Sequence, residues 1–375
     1  MGKIYRALGL MSGTSGDGVD ASIISSDGID QYSEILNKYF EYDQKMHENL
    51  HNLRGKILNF EDLKKNENAI NELEKEITLF HAKIVNEIFE TTNEVIDFIG
   101  FHGQTIYHNP SEKISKQIGD GNLLSQLSKK TVIYNFRQND IKNGGEGAPL
   151  VPIFHRLIVK QKKIKLPVCI LNIGGIANIT AISEYDENNF LSRDLGPGNC
   201  LIDEWIRKNT KNKFDNNGEV AKAGKIDELI LNQALENFEN ITNKKKLSFD
   251  VKDFSLGFVR GLSLEDGTAT LTDFTGRIIG ARLSQFLSET KDKLWSVLVC
   301  GGGRKNLTLI EIIKNETFKD LEIQSIDDYS INGDFVESQA FAFLAIRSFL
   351  KLPISFPSTT GCKNPTSGGE IIKNF

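Results

Sequence analysis

Apolar positions fall into short runs broken by glycine and longer stretches that repeat every three or four residues, so strands and amphipathic helices are predicted in alternation. Ile4 to Met11 is mostly apolar, Ser12 to Gly18 is dense in turn formers, and Val19 to Ser25 is β-rich again, which predicts two strands joined by an enlarged loop. The unit recurs half a chain later, with Val168 to Ile173, a break at Gly174 and Gly175, and Ile176 to Ile182. Two occurrences point to two related halves, each offering a backbone loop. Between them Ile70, Leu73, Ile77, Phe80, Ile84 and Ile88 mark one face of a helix that packs on a sheet. Val95 to Phe101 predicts a buried strand ending at His102, Gly103 and Gln104, where a parallel strand would hand polar side chains to a ligand. Near the C-terminus, Asp334 with Glu337 has capping-box spacing and opens a helix through about Leu350, closed by Pro353.

The chain has 375 residues, more than one ordinary core needs, and the basic, polar Lys160 to Lys165 is the candidate boundary. We therefore expect an α/β protein with an N-terminal lobe over 1–162 and a C-terminal lobe over 163–375, the last helix being free to pack back on the first lobe. A hydrophobic content of 39% with 25% charged residues fits a folded, soluble chain rather than a disordered one. The 45 basic and 50 acidic residues are spread along the sequence, so no nucleic-acid surface is indicated and a small-molecule partner is favoured. Cys169, Cys200, Cys300 and Cys362 are widely separated, with no C-x-x-C pair, as suits a reducing compartment. The chain opens on a strand rather than a basic-then-apolar leader, and no apolar run nears membrane-spanning length, so a cytoplasmic protein away from membranes is expected.

Four glycine-rich stretches carry the candidate chemistry. Gly13, Thr14, Ser15, Gly16, Asp17, Gly18, Val19 and Asp20 combine close backbone approach, N–H groups for phosphate oxygens and two carboxylates. A carboxylate beside phosphate needs a cation between them, so Asp17 or Asp20 is read as holding Mg²⁺ through water. A tight polar hairpin explains that loop equally well on its own. Asn172 to Asn178 supplies a second turn around Gly174 and Gly175, and Gly301, Gly302 and Gly303, followed by Asn306, give a third that leaves room for adenine and ribose. Asp194, in Asp194-Leu195-Gly196-Pro197-Gly198-Asn199, follows an apolar strand and precedes the helical Leu201 to Arg207. It is either a turn residue or a general base acting on a sugar hydroxyl or a water. Arg137 can clamp an anion or pair with Asp140 to hold its own loop, and His102 with Gln104 can face sugar hydroxyls.

A competing class rests on His47-Glu48-Asn49-Leu50-His51, which matches the H-E-x-x-H of zinc hydrolases. Met46, Leu50 and Leu53 instead suit a surface helix, distant in sequence from every glycine loop.

The set Gly9-Leu10-Met11-Ser12-Gly13-Thr14-Ser15, Asp17-Gly18-Val19-Asp20, His102-Gly103-Gln104-Thr105-Ile106, Phe136-Arg137, Gly147-Ala148-Pro149-Leu150-Val151-Pro152 and Gly196-Pro197-Gly198-Asn199 resembles the anhydro-N-acetylmuramic acid kinases. The resemblance continues through Asn172 to Asn178, Gly301-Gly302-Gly303 with Asn306, and Gly333-Asp334 with Glu337 and Ala340-Phe341, covering nearly the whole chain. It implies a two-domain actin/hexokinase-like fold, a duplicated ribonuclease H-like architecture with a nucleotide cleft between domains, and a homodimer acting in cell-wall recycling. It also implies that Mg-ATP and water open the 1,6-anhydro bridge of the sugar while O6 is phosphorylated, giving N-acetylmuramic acid 6-phosphate. On that basis Asp194 is the base for the water, Gly13 to Asp20 hold the phosphates and metal, and Arg137 and Glu337 lie on the substrate side. Two departures stand out: Gly16 occupies a position where a bulkier residue is expected, and Arg193-Asp194-Leu195 replaces a Phe-Asp-Thr type of sequence. A kinase of another hexose derivative and a non-catalytic nucleotide-dependent regulator are the remaining alternatives on this fold.

Overall fold

A computed structural model describes residues 2–186, 190–242, 248–290 and 295–375. The first strand–loop–strand unit forms β1 (Tyr5–Ser12) and β2 (Gly18–Ser26), antiparallel to each other and followed by β3 (Tyr32–Glu41) on the far side of β2. On the other side of β1 lie β4 (Phe98–Asn109) and β6 (Thr131–Tyr134), both parallel, while β5 (Ile114–Ile118) pairs with β4. The second unit repeats the plan. β7 (Val168–Ile173), β8 (Ile176–Ile182) and β9 (Phe190–Pro197) form an antiparallel meander, and β10 (Ser296–Cys300) and β11 (Glu322–Ser325) extend it in parallel from β7. The two orders, β6-β4-β1-β2-β3 and β11-β10-β7-β8-β9, are the same arrangement of a meander and two parallel strands. This is the duplicated ribonuclease H-like topology of the actin/hexokinase-like fold. β12 (Glu370–Ile372) adds an antiparallel edge to the first sheet, beside β6.

The chain divides into one unit of residues 1–164 and 335–375 and another of 165–334. In the first, α1 (Gln44–Lys56) and α2 (Glu67–Thr91) cover one face of the sheet, and Leu50, Leu53, Ile70, Leu73, Ile77, Ile84 and Ile88 join Leu8, Leu10 and Phe101 in one core. The period of α2 is the one visible in the sequence, and its apolar face supplies most of that contact. In the second unit α3 (Cys200–Asn209) packs on α4 (Leu264–Ser288), while α4 and α5 (Leu307–Glu316) pack on the sheet, Ile279, Leu283, Leu309 and Ile313 sharing a core with Leu171, Ile179 and Val299. The last long helix, α6 (Val336–Phe349), belongs to the first unit and lies against β1 and β4. No helix among the described residues is long and apolar enough to cross a membrane.

Two local expectations are corrected. β4 does not stop before His102 but runs to Asn109, because the Asn109–Pro110 turn brings back β5, and Gln104 pairs with Ile118. Gly103, at the register shift between β1 and β4 where Leu10 pairs with Phe101 and Ser12 with Gln104, has φ +72°, a conformation glycine adopts without steric cost. Asp334 does not cap α6: the N-cap is Phe335, with no side-chain cap bond, because Arg304 Nη1 and Lys305 Nζ each hold Asp334 at 2.6 Å. Two charge-assisted bonds outcompete one capping bond.

Three imidazoles are buried in the first unit. Desolvation lowers the pKa of His81 to about 4 and that of His155 to about 3, and it takes His102 well below the ordinary value of 6.5. Each folded pKa lies below the unfolded one, so the stabilisation from keeping the ring neutral is present above about pH 6.5 and is lost as pH falls towards 4. For His81 the loss approaches roughly 3 kcal/mol, at about 1.4 kcal/mol per pKa unit. Urea unfolding of the wild type and His81→Gln between pH 7.5 and 4.5 checks this. The variant is expected to lose less stability over that range, and parallel curves would remove His81 from the acid response.

Candidate active site

In the first unit the Gly13–Asp20 loop is the turn between β1 and β2. Gly16 N donates to Gly13 O at 3.2 Å, and Gly16 takes φ +67°, so the loop reverses tightly around a left-handed residue. Asp17 O accepts from Tyr42 N at 2.9 Å and from the Tyr39 hydroxyl at 3.0 Å. Burial first, then the carboxylates of Asp17, Asp20 and Glu41, raise the Tyr39 pKa, which keeps that hydroxyl a donor. Gln104 Nε2 reaches over from β4 to donate to Gly13 O at 2.9 Å, which ties the second candidate segment to the first.

His102 and Arg137 form the next link. His102 Nδ1–H donates to Gly103 O at 2.8 Å, which leaves Nε2 as the acceptor for Arg137 Nη2 at 3.0 Å. Burial and the neighbouring guanidinium both disfavour a protonated ring, in agreement with this tautomer. Arg137 Nη1 donates to Gly147 O at 2.8 Å, so it braces the 143–150 loop through its backbone. Asp140 is buried and braces the same loop: it accepts from Gly147 N and from Thr360 Oγ1, both at 2.7 Å. The structural alternative is an Arg137–Asp140 pair, but each side chain instead bonds the Gly147 backbone, Arg137 adding His102 and Asp140 adding Thr360. Glu337 stands in the first turn of α6, and the His102 ring packs on Phe341 one turn further along, with centroids 4.5 Å apart.

In the second unit three glycine stretches meet. Gly198 N donates to Gly175 O at 2.9 Å and Asn199 N to Gly174 O at 2.8 Å, so the turn after β9 is bonded to the turn between β7 and β8. Gly301 follows β10 with φ +78°, and a Cβ there would fall 2.4 Å from Asn172 Oδ1, so only glycine lets the third loop approach the second. Asn306 caps α5, its Oδ1 accepting from Leu309 N at 3.0 Å. Arg304 braces the loop from behind: it donates to Gly301 O at 3.0 Å and holds Asp327 with two nitrogens at 2.6 and 3.1 Å.

Asp194 lies inside β9, opposite Asn178, rather than after the strand, and it is buried. Its Oδ2 accepts from Phe249 N at 2.8 Å. Arg282, from α4, donates to Leu195 O at 2.9 Å, interacts electrostatically with Asp194 and sits 5.4 Å from the centroids of both Phe238 and Phe249. Phe249 and Arg282 are absent from the sequence-derived set. For the second, the available signal was an Arg beside the small residues Gly280 and Ala281 on the otherwise apolar stretch Ile278–Leu283.

The H-E-x-x-H segment forms α1, but it is not an isolated surface helix. His51 Nε2 donates to Ser15 O at 2.9 Å, Arg54 Nη1 donates to Thr14 O, and His47 Nε2 faces Asp17 Oδ1 at 3.3 Å. Among the described residues no group of three or more His, Cys, Asp and Glu is disposed to hold a metal ion.

Two sheets of one duplicated topology, each offering glycine loops and buried polar side chains, define a scaffold of the actin/hexokinase-like class. The family model for anhydro-N-acetylmuramic acid kinase matches residues 5–374. The anhydro-N-acetylmuramic acid kinase of Pelagibacter ubique is 58% identical over 375 residues, covering 100% of both chains. That of Zymomonas mobilis is 38% identical over 97% of this chain and 99% of its own. This chain belongs to the anhydro-N-acetylmuramic acid kinase family. Among solved structures, component A of (R)-2-hydroxyglutaryl-CoA dehydratase from Acidaminococcus fermentans aligns at TM-score 0.44 and 12% identity, over 92% of this chain and 100% of that one. The ROK hexokinase from Thermus thermophilus aligns at 0.37 and 12%, over 92% and 99%.

Proposed function

We propose that this protein uses ATP, Mg²⁺ and water to convert 1,6-anhydro-N-acetylmuramic acid into N-acetylmuramic acid 6-phosphate, as a cytoplasmic homodimer in cell-wall recycling. The reading is carried by one observation above the others: a family match along nearly the full chain in which Asp194, on β9, is a buried carboxylate held by the Phe249 backbone N–H. The anhydro sugar has no O6 hydroxyl until its bridge is cut. Water attacks C1, its proton passes to the Asp194 carboxylate, the C1–O6 bond breaks, and O6 takes the γ-phosphoryl group as ADP leaves. Catalysis of this kind is mainly positioning and charge stabilisation, so the rigid bracing of each loop by Gln104, Arg137, Asp140 and Arg304 is what the reaction demands.

The roles divide between the two units. In the first, the Gly13–Asp20 loop takes the phosphates, and His102, Gln104, Arg137, Asp140 and Glu337 form the sugar side, Asp140 acting by shaping the loop of Gly147. In the second, Asn172, Gly174, Gly175 and the Gly301–Gly303 loop with Asn306 take the nucleoside, and Asp194 is the base. The residues fit Mg²⁺: Asp17 Oδ1 and Gln104 Oε1 are buried oxygens that accept no hydrogen bond among the described residues. Hard oxygen donors with few protein ligands suit a cation that keeps most of its waters, and Mg²⁺ when bound neutralises charge between phosphate oxygens. Asp17→Asn is therefore expected to raise the Mg²⁺ concentration for half-maximal rate about tenfold, while unchanged metal dependence would take Asp17 out of that role.

Incubation with ATP, Mg²⁺ and either the anhydro sugar or a panel of free hexoses, read by mass spectrometry, tests the reading. The expected product is the anhydro sugar plus HPO₃ and H₂O. Phosphorylation of a free hexose alone would move the assignment to another sugar kinase, and ATP turnover with no sugar product would end it. Sedimentation velocity checks the dimer.

A further inference from the structure

α1 places His47, Leu50, His51 and Arg54 at i, i+3, i+4 and i+7, on one helix face. That face meets the Gly13–Asp20 loop at every step: Arg54 holds Thr14 O, His51 holds Ser15 O at 2.9 Å, and His47 faces Asp17 at 3.3 Å. A Cβ built on Gly16 would fall 2.7 Å from Leu50 Cδ2, so Leu50 fills the space that a side chain at 16 would otherwise need.

We propose that α1 is a positioning element for the nucleotide: His51 and Arg54, seated by Leu50, aim the amides of the Gly13–Asp20 loop at the phosphates. The inference rests on the phosphate-binding role given to that loop above. Its physical basis is the planar trans peptide, in which C=O and N–H point in opposite directions. A donor that captures the Thr14 carbonyl therefore turns the Ser15 N–H the other way, and Gln104 on the Gly13 carbonyl does the same for the Thr14 N–H. The Thr14 and Ser15 N–H groups make no hydrogen bond among the described residues, so they remain for an anion. The His51 bond fixes the peptide that enters left-handed Gly16, whose own N–H closes the turn on Gly13 O. Glycine at 16 would leave this turn free to explore other conformations, and the helix face removes that freedom. His51 and Arg54 touch backbone carbonyls rather than reacting atoms, so they are positioning residues.

The test compares wild type, the double variant His51→Ala/Arg54→Met, and His51→Gln, which keeps an N–H donor. Steady-state kinetics gives KM for Mg-ATP, KM for the anhydro sugar and kcat. Calorimetry gives Kd for a non-hydrolysable ATP analogue, and thermal melting reports folding. The double variant is expected to raise Kd and KM for the nucleotide about tenfold, one charge-assisted and one neutral hydrogen bond being partly replaced by water. The sugar KM should stay within about twofold, and His51→Gln should stay near wild type. A folded double variant with wild-type nucleotide affinity overturns the inference, as does one whose sugar and nucleotide constants rise together. Should the double variant not fold, His51→Ala against His51→Gln makes the same comparison with one bond. Wild-type protein that binds no nucleotide would overturn the phosphate role of the loop itself, a different result from intact binding that ignores α1.

Discussion

Asp194→Asn should lower kcat by about 10²- to 10⁴-fold while leaving the KM for ATP and for the anhydro sugar within a few-fold of wild type. The substitution is nearly isosteric, and the Asn carbonyl oxygen can still accept from Phe249 N, which Asp194 Oδ2 does at 2.8 Å. The Arg282 contact with Leu195 O is also untouched, so β9 keeps its place. What disappears is a carboxylate able to take a proton from water as it attacks C1. An interaction made only in the transition state lowers kcat and kcat/KM together and spares ground-state binding. Single-turnover and steady-state assays with the anhydro sugar measure both. Wild-type turnover in this variant would remove Asp194 as the base, and a rise in both KM values with little change in kcat would recast it as a binding residue.

The sequence discloses local patterns better than their partners. The duplicated meander is legible because glycines interrupt apolar runs at Ser12–Gly18 and at Gly174–Gly175, and the period of α2 survives into the structure because its apolar face meets the sheet. The length of β4 is not legible, since its second half exists only through pairing with β5, and alternation in so short a segment as Ile114–Ile118 gives a weak signal. The failed cap at Asp334 has the same origin: capping-box spacing is local, whereas Arg304 reaches Asp334 from 30 residues away. For the proposed site, the glycine loops announce themselves by composition, whereas Asp194 is open between turn residue and base until the family resemblance gives it the second role. Phe249 gives no signal, because it contributes a backbone N–H across 55 residues, and no residue type encodes that. His51 and Arg54 are visible as a helix face, but the Ser15 and Thr14 carbonyls they hold lie on the other side of two strands, and H-E-x-x-H spacing suggested zinc in their place.

The second large effect is on folding. Gly100→Val should destabilise the first unit by about 3 kcal/mol or more, at or beyond the upper end of ordinary overpacking. α6 rests on β1 and β4 with no room for side chains between: a Cβ on Gly100 would lie 2.3 Å from Phe341 O and 3.1 Å from Ala345 Cβ, and one on Gly9 would lie 2.0 Å from Ser338 O. The obstruction is helix backbone against strand backbone, so no rotamer change relieves it, and valine adds two further carbons. The helix must then lift from the sheet, exposing Phe341, Leu344 and Ala345, which are fully buried. Gly55→Ala is the control, because Gly55 sits in α1, where a Cβ would meet nothing within 4 Å, and should gain about 0.5–1 kcal/mol from helix propensity and a stiffer unfolded chain. Urea unfolding followed by circular dichroism compares the two, and opposite shifts of the midpoint are expected. A Gly100→Val midpoint equal to that of wild type would mean that α6 does not seat on the sheet through these two glycines, and the close helix–strand approach that carries Phe341 to His102 would have to be withdrawn with it.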